Sequence, residues 1–490
     1  MNARALPFAI AAALGLAVPV AGRAATLPVT SCADDGSAGT LRSVVASAHD
    51  GDTIDLTQLT CSTITLVGGP VDTGLLGPNP LSDLSIIGPG QDALVISGAG
   101  NAAVLFAGGP YPGQGTLTVQ DLTIAHGAKY DAPACIFSTG NVVLDRVTVT
   151  DCHSVQANHA RGGGAVGANG LYVTDSTISD SSVIAANQGI ATGGGAWAGR
   201  MSVVRSTISG NRASAAAGYD YFRYQTSGGG LYAKMALSMV DSTIANNAVE
   251  ATNPGQYGSG GGVRGGFGVI GGTTFSGNTA DGSGGAMGGA RYLPNQPQQD
   301  APANLTTILN CTFTGNSARA GGAVFAAGNI VFANDTLAAN TTTLGGALMF
   351  AHVGTANYHY TLYLDSTIIA DNASGADPPH AADLAIDPRL MLTVIGANNL
   401  VGAADPAIVL PPDTLVGVDP QLLPLADNGG PTWTMALAPG SPAIDTGSNP
   451  DFLDTDQRGQ GYLRVFGPAA DIGAYEAQPA GEVIFVSGFD

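Results

Sequence analysis

The sequence predicts an all-β chain wound as a single-stranded parallel β-helix, and three observations predict it. A short motif recurs along the chain at steps of 24 to 38 residues, a period typical of solenoids. A strand-like run of alternating apolar residues precedes many copies of the motif. Glycine supplies 71 of the 490 residues, which disfavours helices.

The repeat is clearest at Thr274–Ala280 and Thr312–Ala318, each of which is followed closely by Gly-Gly-Ala. Its first Thr marks the phase, and the residue after that Thr is usually large and apolar. In a late coil this rule takes Thr367 as the marker and puts Asp365 two positions before it. In stacked coils, equivalent residues fall into columns. The Asn column suits a tight bend, because Asn tolerates left-handed backbone angles, and its amides can form a ladder. This column consists of Asn211, Asn247, Asn278, Asn316 and Asn340.

The Phe-x-Gly-Asn pattern with its following Gly-Gly-Ala resembles the passenger repeats of polymorphic outer-membrane proteins. The resemblance covers roughly residues 60–400. It implies that the parallel β-helix is right-handed. We assign residues 61–400 to the β-helix repeats.

The N-terminal part predicts a signal peptide and a cap. Residues 1–24 have a positive start, an apolar stretch and small residues at the cleavage point, so we expect export. Residues 25–60 form the predicted cap, in which Leu41–Ala48 has helical spacing and covers the open first coil. This stretch also resembles the N-terminal segment of secreted β-helix proteins.

The five cysteines fit an exported chain. Cys32 and Cys61 flank the cap and are the first expected disulfide. Cys135 and Cys152 are the next plausible pair. Cys311 replaces an inward Ser of the repeat, so we expect a buried free thiol.

The C-terminal part changes character after residue 400. It contains Asp427–Trp433, then Thr455–Gly459, then Asp471–Glu476, and this ordered series resembles the choice-of-anchor Q domain of bacterial secreted β-helix proteins. The resemblance implies a surface or extracellular protein and brings no catalytic residues. We assign residues 401–478 to this domain and residues 479–490 to a short sorting-like tail. The apolar side chains expected to cover the last coil and shield its edge are those of Trp433, Leu437, Ile444 and Tyr475.

One column of the repeat carries the residues with potential chemistry. Asp175, Arg205 and Asp241 lie two positions before successive marker Thr residues, so the two carboxylates are expected about 10 Å apart with the guanidinium between them. This arrangement suits a polysaccharide lyase or hydrolase. It equally suits a self-satisfying ladder of alternating charges, which we favour because the acids follow the repeat instead of breaking it.

Two weaker sets of candidates remain open. A Tyr-rich insertion can stack on sugar rings or anchor a protein, or it can fold its aromatic rings onto the coil surface. An acidic turn can hold Ca²⁺ or can simply be solvated, and no other cofactor is expected. The candidate ligand-binding residues are Tyr219, Tyr221, Phe222 and Tyr224, and the candidate metal ligands are Asp451, Asp454 and Asp456.

The charge composition limits the classes of partner that this protein can bind. The formal net charge is −20 and the only lysines are Lys129 and Lys234, which argues against nucleic acid or anionic membrane as partners. No further membrane helix is predicted after signal cleavage. We expect a monomeric, secreted or cell-surface protein that is not an enzyme: an adhesin or another binding protein with an extracellular glycan or protein as its partner, or a structural surface protein. The alternative is a polysaccharide lyase or glycoside hydrolase acting on an acidic glycan.

Overall fold

A computed structural model describes residues 24–73, 83–107, 115–156, 161–186, 190–215, 226–251, 257–289, 305–351, 359–375 and 380–478. It confirms the predicted fold class. The strands pair in parallel with equivalent strands one coil away, as Thr207–Ser209 does with Thr177–Ser179 and with Thr243–Ala245, and the chain is a parallel β-helix. The predicted signal sequence up to residue 23 and the predicted tail 479–490 lie outside the described residues.

The central coils contribute four stacks of strands, which we call columns A to D. Column A precedes the marker Thr, column B begins at it, column C follows the ladder Asn, and column D follows Gly-Gly-Ala. Strands confined to column A are Thr26–Pro28, Thr53–Asp55, Asp83–Ile87, Thr306–Leu309, Ile330–Ala333, His359–Asp365 and Met391–Ile395. Strands that run from column A into column B are Thr116–Ala125 and Asn141–Thr150. Strands that run from column D into column A are Val166–Thr174, Ala196–Val204, Leu231–Val240 and Val263–Gly271.

The remaining strands complete columns B, C and D. Column B holds Thr63–Thr65, Val95–Ser97, Thr177–Ser179, Thr207–Ser209, Thr243–Ala245, Thr274–Ser276, Thr312–Thr314, Thr336–Ala338, Ile368–Ala370, Leu400–Val401 and Leu415–Val416. Column C holds Ala128–Tyr130, His153–Gln156, Ser182–Ala185, Arg212–Ala215, Ala248–Ala251, Thr279–Ser283, Ser317–Ala320 and Thr341–Thr342. Column D adds Val71–Asp72, Leu105–Ala107, Ile136–Ser138, Met287–Gly288, Val324–Ala326, Leu348–Phe350 and Leu384–Ile386, and a small sheet before it holds Arg161–Gly162, Ile190–Thr192 and Thr226–Ser227.

The core is built from the inward side chains of these columns. The large residue after the marker Thr is buried in coil after coil, so Ile244 lies beside Phe275 and Phe275 beside Phe313. The two phenyl rings stack with centroids 4.6 Å apart. Stacking like residues on like therefore turns a short repeat into one continuous apolar core.

The Asn column forms a buried amide ladder. The side-chain amide of Asn247 donates to the Oδ1 of Asn278 at 3.0 Å, and that of Asn278 donates to the Oδ1 of Asn316 at 2.9 Å. The left-handed residue of this bend is the one before the ladder Asn, for example Gly210 or Asn246. The prediction that the ladder Asn itself occupies the bend was therefore wrong by one position, because its side chain is needed inside.

The register of one late coil also differs from the sequence prediction. Ile368, and not Thr367, pairs with the marker Thr336. Thr367 instead takes the inward position of the small residue, and its hydroxyl donates to the Asp365 carbonyl at 2.9 Å. The outward column residue is consequently Ser366, with φ 45°, and not Asp365.

The N-terminal cap contains one short helix, Leu41–Ala46, which begins after the N-cap residue Thr40. Its residues Leu41 and Val45 are buried on the first coils. Strand pairing already begins at Thr26, inside the predicted cap. The described residues contain no helix long and apolar enough to cross a membrane.

The cysteines are arranged in two disulfides and one thiol. Cys32 and Cys61 are bonded beside the cap helix, and Cys135 and Cys152 are bonded within neighbouring coils. Cys311 is free and buried in the inward column.

Strand pairing continues to Val416, and residues 417–478 then form what we call the C-terminal segment. This segment lies along the side of the late coils, against column B, and its apolar cluster includes Leu415 of the last strand. Leu437 and Ile472 pack on Ile368 and Leu400 there, with Ile444 and Tyr475 beside them. Trp433 does not join this cluster, and its side chain is 55% exposed.

Candidate functional site

The corner between columns A and B presents a row of outward side chains. Every residue of this row has a left-handed backbone, with φ between 44° and 59°. The upstream side chains of the row are at least partly exposed, whereas Asn310, Asn334 and Ser366 are buried against the C-terminal segment. The row consists of Asp121, Arg146, Asp175, Arg205, Asp241, Gly272, Asn310, Asn334 and Ser366.

The upstream part of this row is a ladder of ion pairs. Arg205 makes two hydrogen bonds to the carboxylate of Asp175, at 2.8 and 2.7 Å. Arg146 pairs in the same way with Asp121, at 2.7 and 2.9 Å. Hydrogen bonding from Arg205 lowers the pKa of Asp175 below its usual value. Asp175 and Arg205 are thus neighbours, as the sequence predicted, and they form a bidentate ion pair.

Asp241 differs from the other acids of the row. Arg205 is its upstream neighbour and is already held by Asp175, while the downstream position is Gly272. The carboxylate of Asp241 lies over that glycine, where a Cβ atom would stand 2.3 Å from its Oδ1. Burial raises the pKa of Asp241, and the charge of Arg205 only partly opposes this. Asp241 is therefore a half-buried carboxyl group without an ion pair among the described residues.

The outer face of column B is covered at its upstream part by Gln91. The hydroxyl of Thr123 donates to the Gln91 carbonyl at 2.7 Å, and that of Thr148 donates to Gln91 Oε1 at 3.1 Å. The Gln91 amide in turn donates to the Asp175 carbonyl at 3.1 Å. One glutamine thus spans the marker Thr residues of two coils and reaches the turn of a third.

The downstream part of the same face is covered by the C-terminal segment. The hydroxyl of Thr274 donates to the Trp433 carbonyl at 2.6 Å, and that of Thr312 donates to Gln457 Oε1 at 2.5 Å. Thr274, Thr312 and Thr336 are consequently buried. The outward Thr residues between the two covers are only partly buried, and we call their surface the open face. It consists of Thr177, Thr207 and Thr243 with the adjoining corner residues Arg205 and Asp241.

A small cavity lies where the open face meets the C-terminal segment. Its volume is about 80 Å³. Its lining comprises Arg205, Ser206, Thr207, Asp241, Thr243 and Pro431. Arg205 and Asp241, two of the three candidate catalytic residues from the sequence, therefore line one cavity. The third, Asp175, is not in the lining and forms the ion pair with Arg205.

Buried charged residues organise the interior of the C-terminal segment. Arg458 is buried between the rings of Tyr462 and Tyr475, 4.0 and 3.9 Å from their centroids, and pairs with Asp456 at 2.6 Å. Arg464 is fully buried and donates to Glu476 at 2.9 Å. These contacts hold the C-terminal segment together, and Gln457 and Arg464 join it to the β-helix at Thr312 and Asn310.

The candidate Ca²⁺ ligands are not gathered around one point. Asp456 is buried in its ion pair with Arg458, whereas Asp451 and Asp454 are exposed. In the described ranges no three His, Cys, Asp or Glu side chains are grouped as a metal ion requires. The aromatic insertion with Tyr219, Tyr221, Phe222 and Tyr224 lies outside the described residues.

Sequence reasoning missed a second hollow, at the corner between columns B and C. Asp151 accepts a hydrogen bond from His153 at 2.8 Å and lies 3.7 Å from His126. The surrounding cavity is about 490 Å³ and is otherwise lined by Ala99, Gly100, Gly127 and Ala128. The signal in the sequence was the pair of His residues 27 positions apart at the two ends of one coil, next to small residues.

Comparison of the chain with protein-family models finds no match, and comparison with curated proteins finds none either.

Proposed function

We propose that this protein is an exported, cell-surface β-helix protein that binds an extracellular glycan on its open face without cleaving it. The observation that carries the proposal is the partial covering of column B. Gln91 binds the hydroxyls of Thr123 and Thr148, and the C-terminal segment covers Thr274, Thr312 and Thr336. The open face between them has no such partner among the described residues. Regularly spaced hydroxyls, one per coil at about 4.8 Å, suit a hydroxyl-rich polymer.

The ion-pair geometry supports binding more than catalysis. A lyase that uses Arg205 needs its charge for the substrate, yet the Nε and Nη2 atoms of the guanidinium already donate to the Asp175 carboxylate. Asp241 is then left as a single carboxyl group, whereas glycoside hydrolysis uses two. Cleavage of an acidic glycan by Asp175, Arg205 and Asp241 stays the alternative.

The wider identity is proposed on the motifs. We propose that the repeats are of the polymorphic outer-membrane type and that the C-terminal segment is a choice-of-anchor Q domain. The contacts of Gln457 and Arg458 support the second assignment, because they give the motif residues a structural role. Two disulfides support export to an oxidising compartment. We expect the exported protein to be a monomer.

The test is binding and turnover measured together. Purified residues 25–490 are presented with neutral and acidic polysaccharides, with and without Ca²⁺, and both retention and newly formed chain ends are recorded. We expect retention of at least one glycan without cleavage, and loss of retention when Thr177, Thr207 and Thr243 are all replaced by Val.

The matched control is Thr57→Val, at an exposed threonine near the N-terminal cap. Cleavage that disappears in Asp241→Ala would replace the binding proposal with the enzymatic one. Retention that survives the triple Val variant would move the binding site away from the open face.

A further inference from the structure

We infer that the C-terminal segment is part of the glycan site, and that it supplies Trp433 as the platform on which a neutral sugar ring stacks. The inference rests on the proposed function and adds the class of sugar and the residue that selects it. It assigns the segment a role in binding besides docking.

The first support is the rigid placement of Pro431–Trp433 beside the open face. Thr432 donates through its hydroxyl to the Gly272 carbonyl at 2.8 Å, and Thr274 donates to the Trp433 carbonyl. The Gln457 amide donates to both threonine hydroxyls, at 2.8 and 3.0 Å. This buried network fixes the chain next to the coil that carries Thr243, so the segment forms a preorganised wall.

The second support is the contrast between the buried backbone and the exposed ring of Trp433. Its carbonyl is anchored, yet its indole is 55% exposed, whereas Leu437 on the same segment is 6% exposed and packs in a cluster. An indole offers a wide apolar face with a polar handle, and such rings serve recognition where one side stays wet.

The third support is the size of the adjoining cavity. At about 80 Å³ it has room for two or three water molecules, each of which occupies about 30 Å³ in the liquid. A whole sugar ring does not fit. One hydroxyl or hydroxymethyl group does, with Thr207, Thr243 and Asp241 around it as hydrogen-bonding partners. The ring that carries this group must then lie outside the cavity, at the level of the C-terminal wall.

The charges decide the class of sugar. Asp241 makes no ion pair and Arg205 is already paired with Asp175, so among the described residues the cavity lining presents no unpaired cation to a uronic acid or sulfate. The whole chain carries −20, which repels polyanions further. A neutral, hydroxyl-rich sugar fits this surface best.

The experiment uses the fact that the chain has two tryptophans. In Trp197→Phe, Trp433 becomes the only indole, and its fluorescence is followed while short neutral oligosaccharides of glucan, xylan and mannan are added. We expect a saturable change with at least one of them. Because replacing Trp433 removes the fluorescent probe, its variants are compared with the wild type by calorimetric titration of the same oligosaccharides. Trp433→Ala is expected to weaken that binding about tenfold, with Trp433→Phe recovering part of it.

The control variant is Phe452→Ala, which removes an aromatic ring that is 88% exposed on the same segment and leaves the wall intact. Unchanged thermal unfolding of each variant excludes undocking as the cause. If the triple Val variant loses binding but Trp433→Ala binds as tightly as the wild type, this inference is overturned and the proposed function stands. Binding of acidic sugars alone overturns the neutral class, and no binding of any glycan overturns both proposals.

Discussion

Asp335→Asn should stabilise this protein at neutral and alkaline pH. Asp335 occupies the inward small-residue column and is fully buried. Its Oδ1 accepts a hydrogen bond from the Cys311 amide at 2.7 Å, but its Oδ2 has no partner. Other members of the column also donate, as Ser206 does to the Val204 carbonyl at 2.7 Å. A carboxylate has no proton to donate, so the native residue completes the pattern only when protonated.

The magnitude follows from the cost of this carboxyl group at pH 8, where folding must either keep a proton on it or leave its second oxygen unsatisfied. Burial raises the pKa of Asp335 well above its usual value, while the charge of Arg464 acts in the opposite direction. The folded state therefore holds a proton that the unfolded chain releases above about pH 4. The free energy of unfolding consequently falls as the pH rises from about 4 towards the raised pKa of the folded state. An unsatisfied buried polar group costs about 1–3 kcal/mol. The asparagine amide supplies the donor at every pH, as Asn399 does to the Leu364 carbonyl at 2.6 Å. We expect a gain of about 1–3 kcal/mol at pH 8 that vanishes below about pH 4.

The assay is urea unfolding of the wild type and of Asp335→Asn between pH 4 and pH 8. Hydrogen exchange of the Cys311 amide, which donates to residue 335, reports on the same site locally. Asp92→Asn, at an exposed acid, is the control and should behave as the wild type at each pH. A variant that is no more stable at pH 8, or whose gain is the same at pH 4, would refute the reasoning.

Three further predictions concern the ladders and the disulfide. Asn278→Ala removes four ladder hydrogen bonds and should lower the free energy of unfolding in urea by about 3 kcal/mol. The control Asn101→Ala, at an exposed asparagine, should change it little. Equal effects would contradict a buried ladder. Replacing Cys135 and Cys152 by Ser should cost about 2–4 kcal/mol, read as a lower thermal midpoint, and an unchanged midpoint would show that the bond does not constrain the chain. Asp175→Asn should leave the midpoint unchanged, because water screens this half-exposed pair, and a large drop would show that the charge ladder is structural.

The repeat made the architecture predictable. Identical spacing around Thr274 and Thr312 fixed which residues stack, and the structure pairs those two residues directly. The late coil was misaligned because both Ser366 and Thr367 are small hydroxyl residues, so the sequence offered two equivalent phases. The actual register puts Ile369 in the core column beside Leu337 and leaves Ile368 outward, where Leu437 and Ile472 cover it. The sequence of the repeat by itself cannot show that Ile368 has to face outward to pack against residues of the C-terminal segment.

The row of corner charges was predictable, but the limits of the open face were not. Asp175 and Arg205 pair across one coil, a distance that the repeat defines. The covers come from far away, since Gln91 reaches the Asp175 carbonyl across 84 residues and Thr432 reaches Gly272 across 160. Nothing in Thr207 or Thr274 themselves distinguishes an open threonine from a covered one.

The lateral course of the C-terminal segment also has a mechanical consequence. In a simple solenoid each coil touches only its neighbours, and coils can detach one after another from either end. Here a single segment is bonded to Gly272, Asn310, Thr336 and Ser366, which belong to four successive coils. These four coils should therefore unfold together as one cooperative unit. Under a force applied at the N-terminus, the coils before Gly272 should detach in small steps, and the four bonded coils should then unfold in one larger step.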